Sequence, residues 1–162
     1  MRIGLIADTH GLFDPAGRQH FKKGVDHILH AGDIVDQSVI DQLQAIAPLT
    51  AVSGNVDGYE QRRFPSEIII ELAGCRIAIQ HILYEGGKFS IERRAFLQEN
   101  QPDLCIFGHT HQSTVKWFGK TLPYKPVPAG RRRFMLSRVL GILMTQNDSI
   151  AATHIVLDHK LQ

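Results

Sequence analysis

Short apolar runs separated by polar turns mark the first half of the chain, and helical spacings fill the gaps between them. Residues 2–7 form an apolar run that closes on Asp8-Thr9-His10-Gly11, and residues 27–31 form a second that closes on Gly32-Asp33. Residues 49–52 form a third, ending at Gly54-Asn55. Between them, residues 15–23 are a predicted helix, with Asp14 placed to cap it and Pro15 in its first turn. Residues 38–47 carry Val39, Ile40, Leu43 and Ala47 at helical spacing and stop before Pro48. Farther on, residues 67–72 and 76–82 flank Ala73-Gly74-Cys75 as a predicted hairpin, followed by a helix over 89–99. Residues 104–107 read as a strand closing on Gly108-His109-Thr110-His111, and the remaining predicted strands are 114–118, 124–128, 134–137 and 150–157. Strand–helix alternation followed by a β-rich half predicts two stacked sheets with helices outside, a layered α/β architecture.

Composition narrows the class. The 162 residues are 43% hydrophobic and 21% charged, enough for a core without disulfide staples and too apolar for a disordered chain. No linker or internal repeat divides the sequence, so a single domain over 1–162 is expected. The longest apolar stretches, such as 139–144, are far short of the ~18 residues that cross a membrane. The N-terminus has no signal-peptide pattern, and Cys75 and Cys105 lie in apolar segments, which predicts buried thiols in a cytoplasmic protein.

Net charge is +2, too small to indicate nucleic-acid binding by itself. It hides an asymmetry: residues 1–81 carry 7 basic and 10 acidic side chains, and residues 82–162 carry 11 and 6. Trp117, Phe118 and Tyr124 are too few for a base-stacking platform, so no specific nucleic-acid binding is indicated. The odd count is histidine, at 9.

Four of the predicted strands end alike, in a glycine or small residue and then a metal-competent side chain. They deliver Asp8 and His10, Asp33, Asn55, and His109 and His111. Open α/β sheets gather their sites beyond the carboxyl ends of strands, which brings these loops to one rim. Residues i and i+2 of extended chain share a side, so Asp8 pairs with His10 and His109 with His111. Asp, Asn and His without cysteine make an oxygen and nitrogen donor set suited to Mn2+, Fe or Zn2+. Two divalent ions beside only Asp8 and Asp33 leave positive charge over, which suits a hydroxide and an anionic phosphate ester.

The series Asp8-x-His10, Gly32-Asp33-x-x-Asp36, Gly54-Asn55-x-Asp57, His81 and Gly108-His109-x-His111 resembles the calcineurin-like metallophosphoesterase superfamily, in its small YfcE-like phosphodiesterase branch. The resemblance spans residues 1 to about 130. It implies a four-layer αββα sandwich of two mixed β-sheets flanked by helices. It also implies two divalent metal ions, Mn2+ foremost, with Zn2+, Fe, Ni2+ and Mg2+ as alternatives. Carried over by position, Asp8, His10, Asp33 and His111 would hold one ion. Asp33 would bridge to a second held by Asn55, His81 and His109. Asp33, Asn55 and His81 would carry the catalysis, a metal-bridging hydroxide attacking phosphorus, with Asn55 also touching substrate.

Three positions depart from that pattern. Related sequences read His-Gly-His where this chain has His81-Ile82-Leu83, which leaves a buried strand histidine as the other reading of His81. The branch has Asn-Pro-Gly-Ser where Pro128-Ala129-Gly130-Arg131 stands here; the run Arg131-Arg132-Arg133 is either a solvated face or a phosphate clamp led by Arg131. Larger members carry a histidine that protonates the leaving group where this chain has Val56, and Asp57 is the neighbouring carboxyl that could stand in. His30 reads as structural and Asp36 as a helix cap. The expected activity is hydrolysis of a small phosphodiester or nucleotide-like substrate, with a homo-oligomer as the open assembly question. The alternative is a non-catalytic protein-binding scaffold of the same fold, like the retromer subunit.

Overall fold

Along the chain the elements are β1 (Arg2–Ile6), α1 (Pro15–Lys22), β2 (His27–His30), α2 (Gln37–Gln44), β3 (Leu49–Ala51), β4 (Glu67–Leu72), β5 (Cys75–Gln80), α3 (Ile91–Asn100), β6 (Leu104–Ile106), β7 (Leu122–Tyr124), β8 (Val139–Gln146) and β9 (Ser149–Val156). The computed structural model describes residues 1–84, 88–109, 119–126, 139–146 and 149–157. One sheet has the order β3-β2-β1-β8-β9, parallel on the β1–β2–β3 side and antiparallel through β8 and β9. The other has the order β4-β5-β6-β7, an antiparallel hairpin continued by parallel pairs.

Period-two alternation decides the layers. Ile3, Leu5, Ala7 and Leu29 of the first sheet meet Ile77, Ile79, Leu104 and Ile106 of the second in the central core. On the outer face of the first sheet, Ile6 and Ile28 pack under Phe21 of α1 and Val39, Ile40 and Leu43 of α2. Outside the second sheet, Ala78, Cys105 and Phe107 are covered by Leu97 of α3 and by Tyr84. Helices, sheet, sheet and helix make the expected αββα sandwich. Asp14 caps α1 by accepting from the Ala16 N–H at 2.8 Å, and Asp36 caps α2 by accepting from the Ser38 N–H at 2.7 Å, as their spacing predicted.

Gly4 of β1 lies directly beneath Phe21, where a Cβ would come within 2.9 Å of the buried ring. Gly4→Ala is therefore expected to destabilise the protein by about 1–3 kcal/mol, because the ring has nowhere to retreat. A denaturation midpoint unchanged by the substitution would contradict this packing.

Several boundaries differ from the sequence expectation. Helix α2 stops at Gln44 and not at 47, because Ala47 precedes Pro48 and is pushed out of helical geometry. Helix α3 starts at Ile91: Ser90 caps it, accepting from the Arg93 N–H, while Phe89 packs on Tyr84 with ring centroids 4.2 Å apart. In place of the strand expected over 124–128, β7 is Leu122–Tyr124, and the chain leaves the ladder before Pro126, which has no N–H to donate. The predicted strands 114–118 and 134–137 lie outside the described residues. Strand β8 is the element the pattern did not reveal. It is an internal strand whose residues 139–143 are buried on both faces, so it lacks polar alternation there, and Gly141 interrupts it where Tyr124 approaches to 2.8 Å of a would-be Cβ.

Candidate active site

The residues after β1, β2 and β6 share an unusual backbone. Asp8, His10, Asp33 and His109 have φ of 53°, 46°, 56° and 65°, a left-handed conformation that non-glycine residues seldom adopt. Each such residue costs about 1–3 kcal/mol and persists only where its surroundings over-determine it. Here they do. The Asp8 N–H donates to Gly32 O at 3.0 Å, His10 N–H to Asp33 O at 2.9 Å and Gly11 N–H to Ile34 O at 2.8 Å, fastening the loops after β1 and β2 to each other. Glycine is required at two contacts: a Cβ on Gly54 would collide with the Asp33 carboxylate, and one on Gly108 would lie 3.0 Å from Asp8 Oδ2.

Two buried polar side chains hold these loops. His30 is fully buried; its Nδ1 accepts from the Gly32 N–H at 3.1 Å, so its Nε2–H faces Thr9 Oγ1 at 3.1 Å. Burial, then the neighbouring His81, pushes its pKa down to about 3 from 6.5. The unfolded chain therefore binds a proton that folded His30 refuses between pH 6.5 and about 3, and stability falls with pH across that window. His30→Gln is expected to flatten that fall by about 1.4 kcal/mol per pH unit, measured by guanidinium denaturation from pH 6.5 downward. An equally steep fall in the variant would remove His30 as the cause. Asp57 is the second. Its Oδ1 accepts from Val35 N–H and its Oδ2 from Gly54 N–H, both at 2.7 Å. Both oxygens are thus used in tying the loop after β3 to the loop after β2, which corrects the expectation that Asp57 could stand in as the missing acid.

At the centre, one donor atom each from Asp8, Asp33 and His81 lies within 4.8 Å of the others, and all three residues are buried. His81 Nδ1 lies 2.7 Å from the Ala31 carbonyl, an acceptor only, so Nδ1 carries the proton and Nε2 of the neutral ring presents a lone pair. That Nε2 lies 3.2 Å from Asp33 Oδ2 and 4.0 Å from Asp8 Oδ1. Burial lowers the His81 pKa, but Asp33 and then Asp8 outweigh it, and the net shift is upward. For Asp33, burial acts to raise the pKa, but His81 and the Val56 N–H, which donates to Oδ1 at 3.1 Å, outweigh it and hold Asp33 below the usual carboxylate range. The pocket thus favours a positive charge beside the ionised Asp33.

The remaining positions lie around this cluster. His10 Nε2 is 3.9 Å from Asp33 Oδ2. The His109 N–H donates to Asp8 Oδ1 at 3.1 Å, its ring packs edge-on against His81 at 5.4 Å, and its Nδ1 donates to Asn55 Oδ1 at 3.0 Å. Six of the seven predicted ligand positions are therefore brought together. His111 and Arg131 lie outside the described residues.

The donors fit a divalent cation. Asp8 Oδ2 and His81 Nε2 are buried with no aligned hydrogen-bond partner, a costly state for polar atoms unless something binds them. Carboxylate oxygen with an imidazole nitrogen oriented by a backbone carbonyl is a set that Mn2+, Fe or Zn2+ accepts. A residue the sequence reading did not single out also stands at this rim: Lys125, directly after β7, is buried. No signal marked it in the sequence, because the strand expected over 124–128 runs past it.

A family model for the calcineurin-like phosphoesterase superfamily domain matches residues 1–148. The chain belongs to this superfamily. A probable metallophosphoesterase of Methanocaldococcus jannaschii is 35% identical over 118 residues, covering 68% of this chain, which spans 59% of that protein's length. Among solved structures, an archaeal phosphodiesterase overlays at a TM-score of 0.77 with 24% identity, covering 97% of this chain and all of that one. Vps29 of Entamoeba histolytica, in complex with Zn2+, overlays at 0.74 with 16% identity, covering 98% and 100%. At those identities the structural neighbours speak for the fold, which matches the two-sheet sandwich described above. Among the described residues, no helix is long and apolar enough to cross a membrane.

Proposed function

We propose that this domain is a binuclear metal-dependent phosphodiesterase acting on small, nucleotide-like diesters in the cytoplasm. In this reading two divalent ions, Mn2+ foremost, would be held by Asp8, His10, Asp33 and His111 and by Asp33, Asn55, His81 and His109. The observation that carries it is the buried cluster of Asp8, Asp33 and His81, one ligand atom of each within 4.8 Å of the others, in which Asp8 Oδ2 and His81 Nε2 have no aligned hydrogen-bond partner. Bound there, divalent ions supply Lewis acidity and lower the pKa of a coordinated water.

The chain's own residues provide the rest. Asp33 stays ionised at neutral pH and can be shared between two cations. The Ala31 carbonyl fixes the His81 tautomer, and the Val56 N–H fixes the Asp33 carboxylate. Asn55, exposed at the mouth and bonded to His109, is placed to exchange that bond for a substrate oxygen.

The test is a panel of aryl diesters, alkyl diesters and monoesters, assayed with metal-stripped protein after adding back Mn2+, Zn2+ or Mg2+. Aryl diesters as the best substrates bear the reading out; monoesters as the best substrates overturn the diesterase assignment. The scaffold alternative draws on the Vps29 overlay. Against it stands the cost of keeping two carboxylates and an imidazole buried together, which a binding surface has no reason to bear.

A further inference from the structure

The two loops that carry Asp33 and Asn55 continue outward into an open cleft of about 810 Å³, lined by Gln37, Tyr59, Glu60, Arg62 and Arg63. That is the size of a small-ligand site. Backbone joins the cleft to the metal-competent cluster. The Val56 N–H donates to Asp33 Oδ1 at 3.1 Å, and Tyr59 follows three residues on, a span of at most about 11 Å. Gln37 begins α2 just past the loop that holds Asp33, and its Oε1 accepts from Arg63 Nη2 at 3.1 Å, tying the outer ends of the two loops together. The Arg63 guanidinium also lies over the Phe64 ring, 5.2 Å from its centroid.

These loops turn apolar surface outward. Val35 has a φ of 71°, which a β-branched residue adopts only under constraint, and its N–H is held by Asp57 Oδ1. Val35 and Val56 are both exposed, and Tyr59 is 95% exposed. Among the described residues no hydrogen bond or ring contact holds the Tyr59 side chain, so packing does not account for its position. Arg62 and Arg63 outnumber Glu60, which leaves the lining positive and suited to an anion. An aromatic face beside arginines is what a nucleotide needs, the ring for its base and the cations for its charge.

We propose that this cleft is the subsite for the esterified group, with Tyr59 stacking on the base of a nucleotide whose phosphate lies at the cluster of Asp8, Asp33 and His81. The proposal rests on the phosphoesterase reading and narrows its substrate class to esters of a nucleoside.

The test is calorimetric binding of adenosine 5′-monophosphate and of inorganic phosphate to Mn2+-loaded protein, comparing wild type with Tyr59→Ala and Tyr59→Phe. Metal content and thermal midpoint are measured on each. Wild type should bind the nucleotide about 10-fold or more tighter than phosphate; Tyr59→Ala should lose most of that margin and Tyr59→Phe keep it. Phosphate affinity, metal content and midpoint should stay the same in all three, because the side chain stands in solvent. A wild-type protein with no preference for the nucleotide overturns the proposal. So does an alanine variant that keeps the preference, one that loses phosphate equally, or a phenylalanine variant that fails as alanine does. Binding needs no turnover: a Tyr59-dependent preference in a protein that hydrolyses no diester would refute the activity and leave the subsite standing.

Discussion

Asp33→Ala is expected to lower kcat/KM for an aryl phosphodiester by at least about 10³-fold, which corresponds to the several kcal/mol that Lewis-acid stabilisation supplies. Among the described residues, Asp33 is the one carboxylate within reach of both His81, at 3.2 Å, and His10, at 3.9 Å, so its loss removes the anion shared by both halves of the cluster. The same substitution should abolish tight Mn2+ binding while leaving the sandwich folded, because the apolar contacts that join its layers run through other residues. Metal content by elemental analysis and the far-ultraviolet spectrum separate those two effects. Wild-type turnover in a folded Asp33→Ala protein would remove the cluster from the chemistry.

The second large effect concerns the leaving group. Val56 projects into solvent beside Asp33, with its side chain 49% exposed, and it has no proton to give. Asp57, the adjacent carboxyl, spends both oxygens on Val35 and Gly54. General acid help contributes about 10²–10⁴-fold, so without it alkyl monoesters should lag behind aryl diesters by a factor in that range. Val56→His should recover part of the deficit on alkyl esters and change aryl esters little, since a good leaving group needs no proton. The measurement is the dependence of log(kcat/KM) on leaving-group pKa for both proteins. A shallow dependence in wild type would show that another residue already donates the proton.

The comparison between sequence and structure turns on how each residue announces itself. The strand-end series from Asp8 to His109 was legible because four separate loops repeat one chemistry, and the topology brings the carboxyl ends of β1, β2, β3 and β6 to one rim. Asp14 and Asp36 were legible as caps because capping is local. The tautomer of His81 was not. It depends on the Ala31 carbonyl, 50 positions away in sequence, and no local pattern predicts that contact. Asp57 misled for the same reason: its adjacency to Val56 invited a catalytic role, while its two partners lie on other turns of the chain. Strand β8 escaped because burial on both faces erases the alternation by which strands are recognised. Lys125 passed unnoticed because a lysine inside a β-rich stretch reads as an exposed residue until the neighbouring strands bury it.

The most direct measurement is the rate of aryl phosphodiester hydrolysis by metal-stripped protein as Mn2+ is added in known equivalents. Expected are no turnover at the start, a rise that levels off near two equivalents, and no rise at all in Asp33→Ala. Full activity in stripped protein, or the same rise in the variant, would contradict a metal-dependent site built on Asp33.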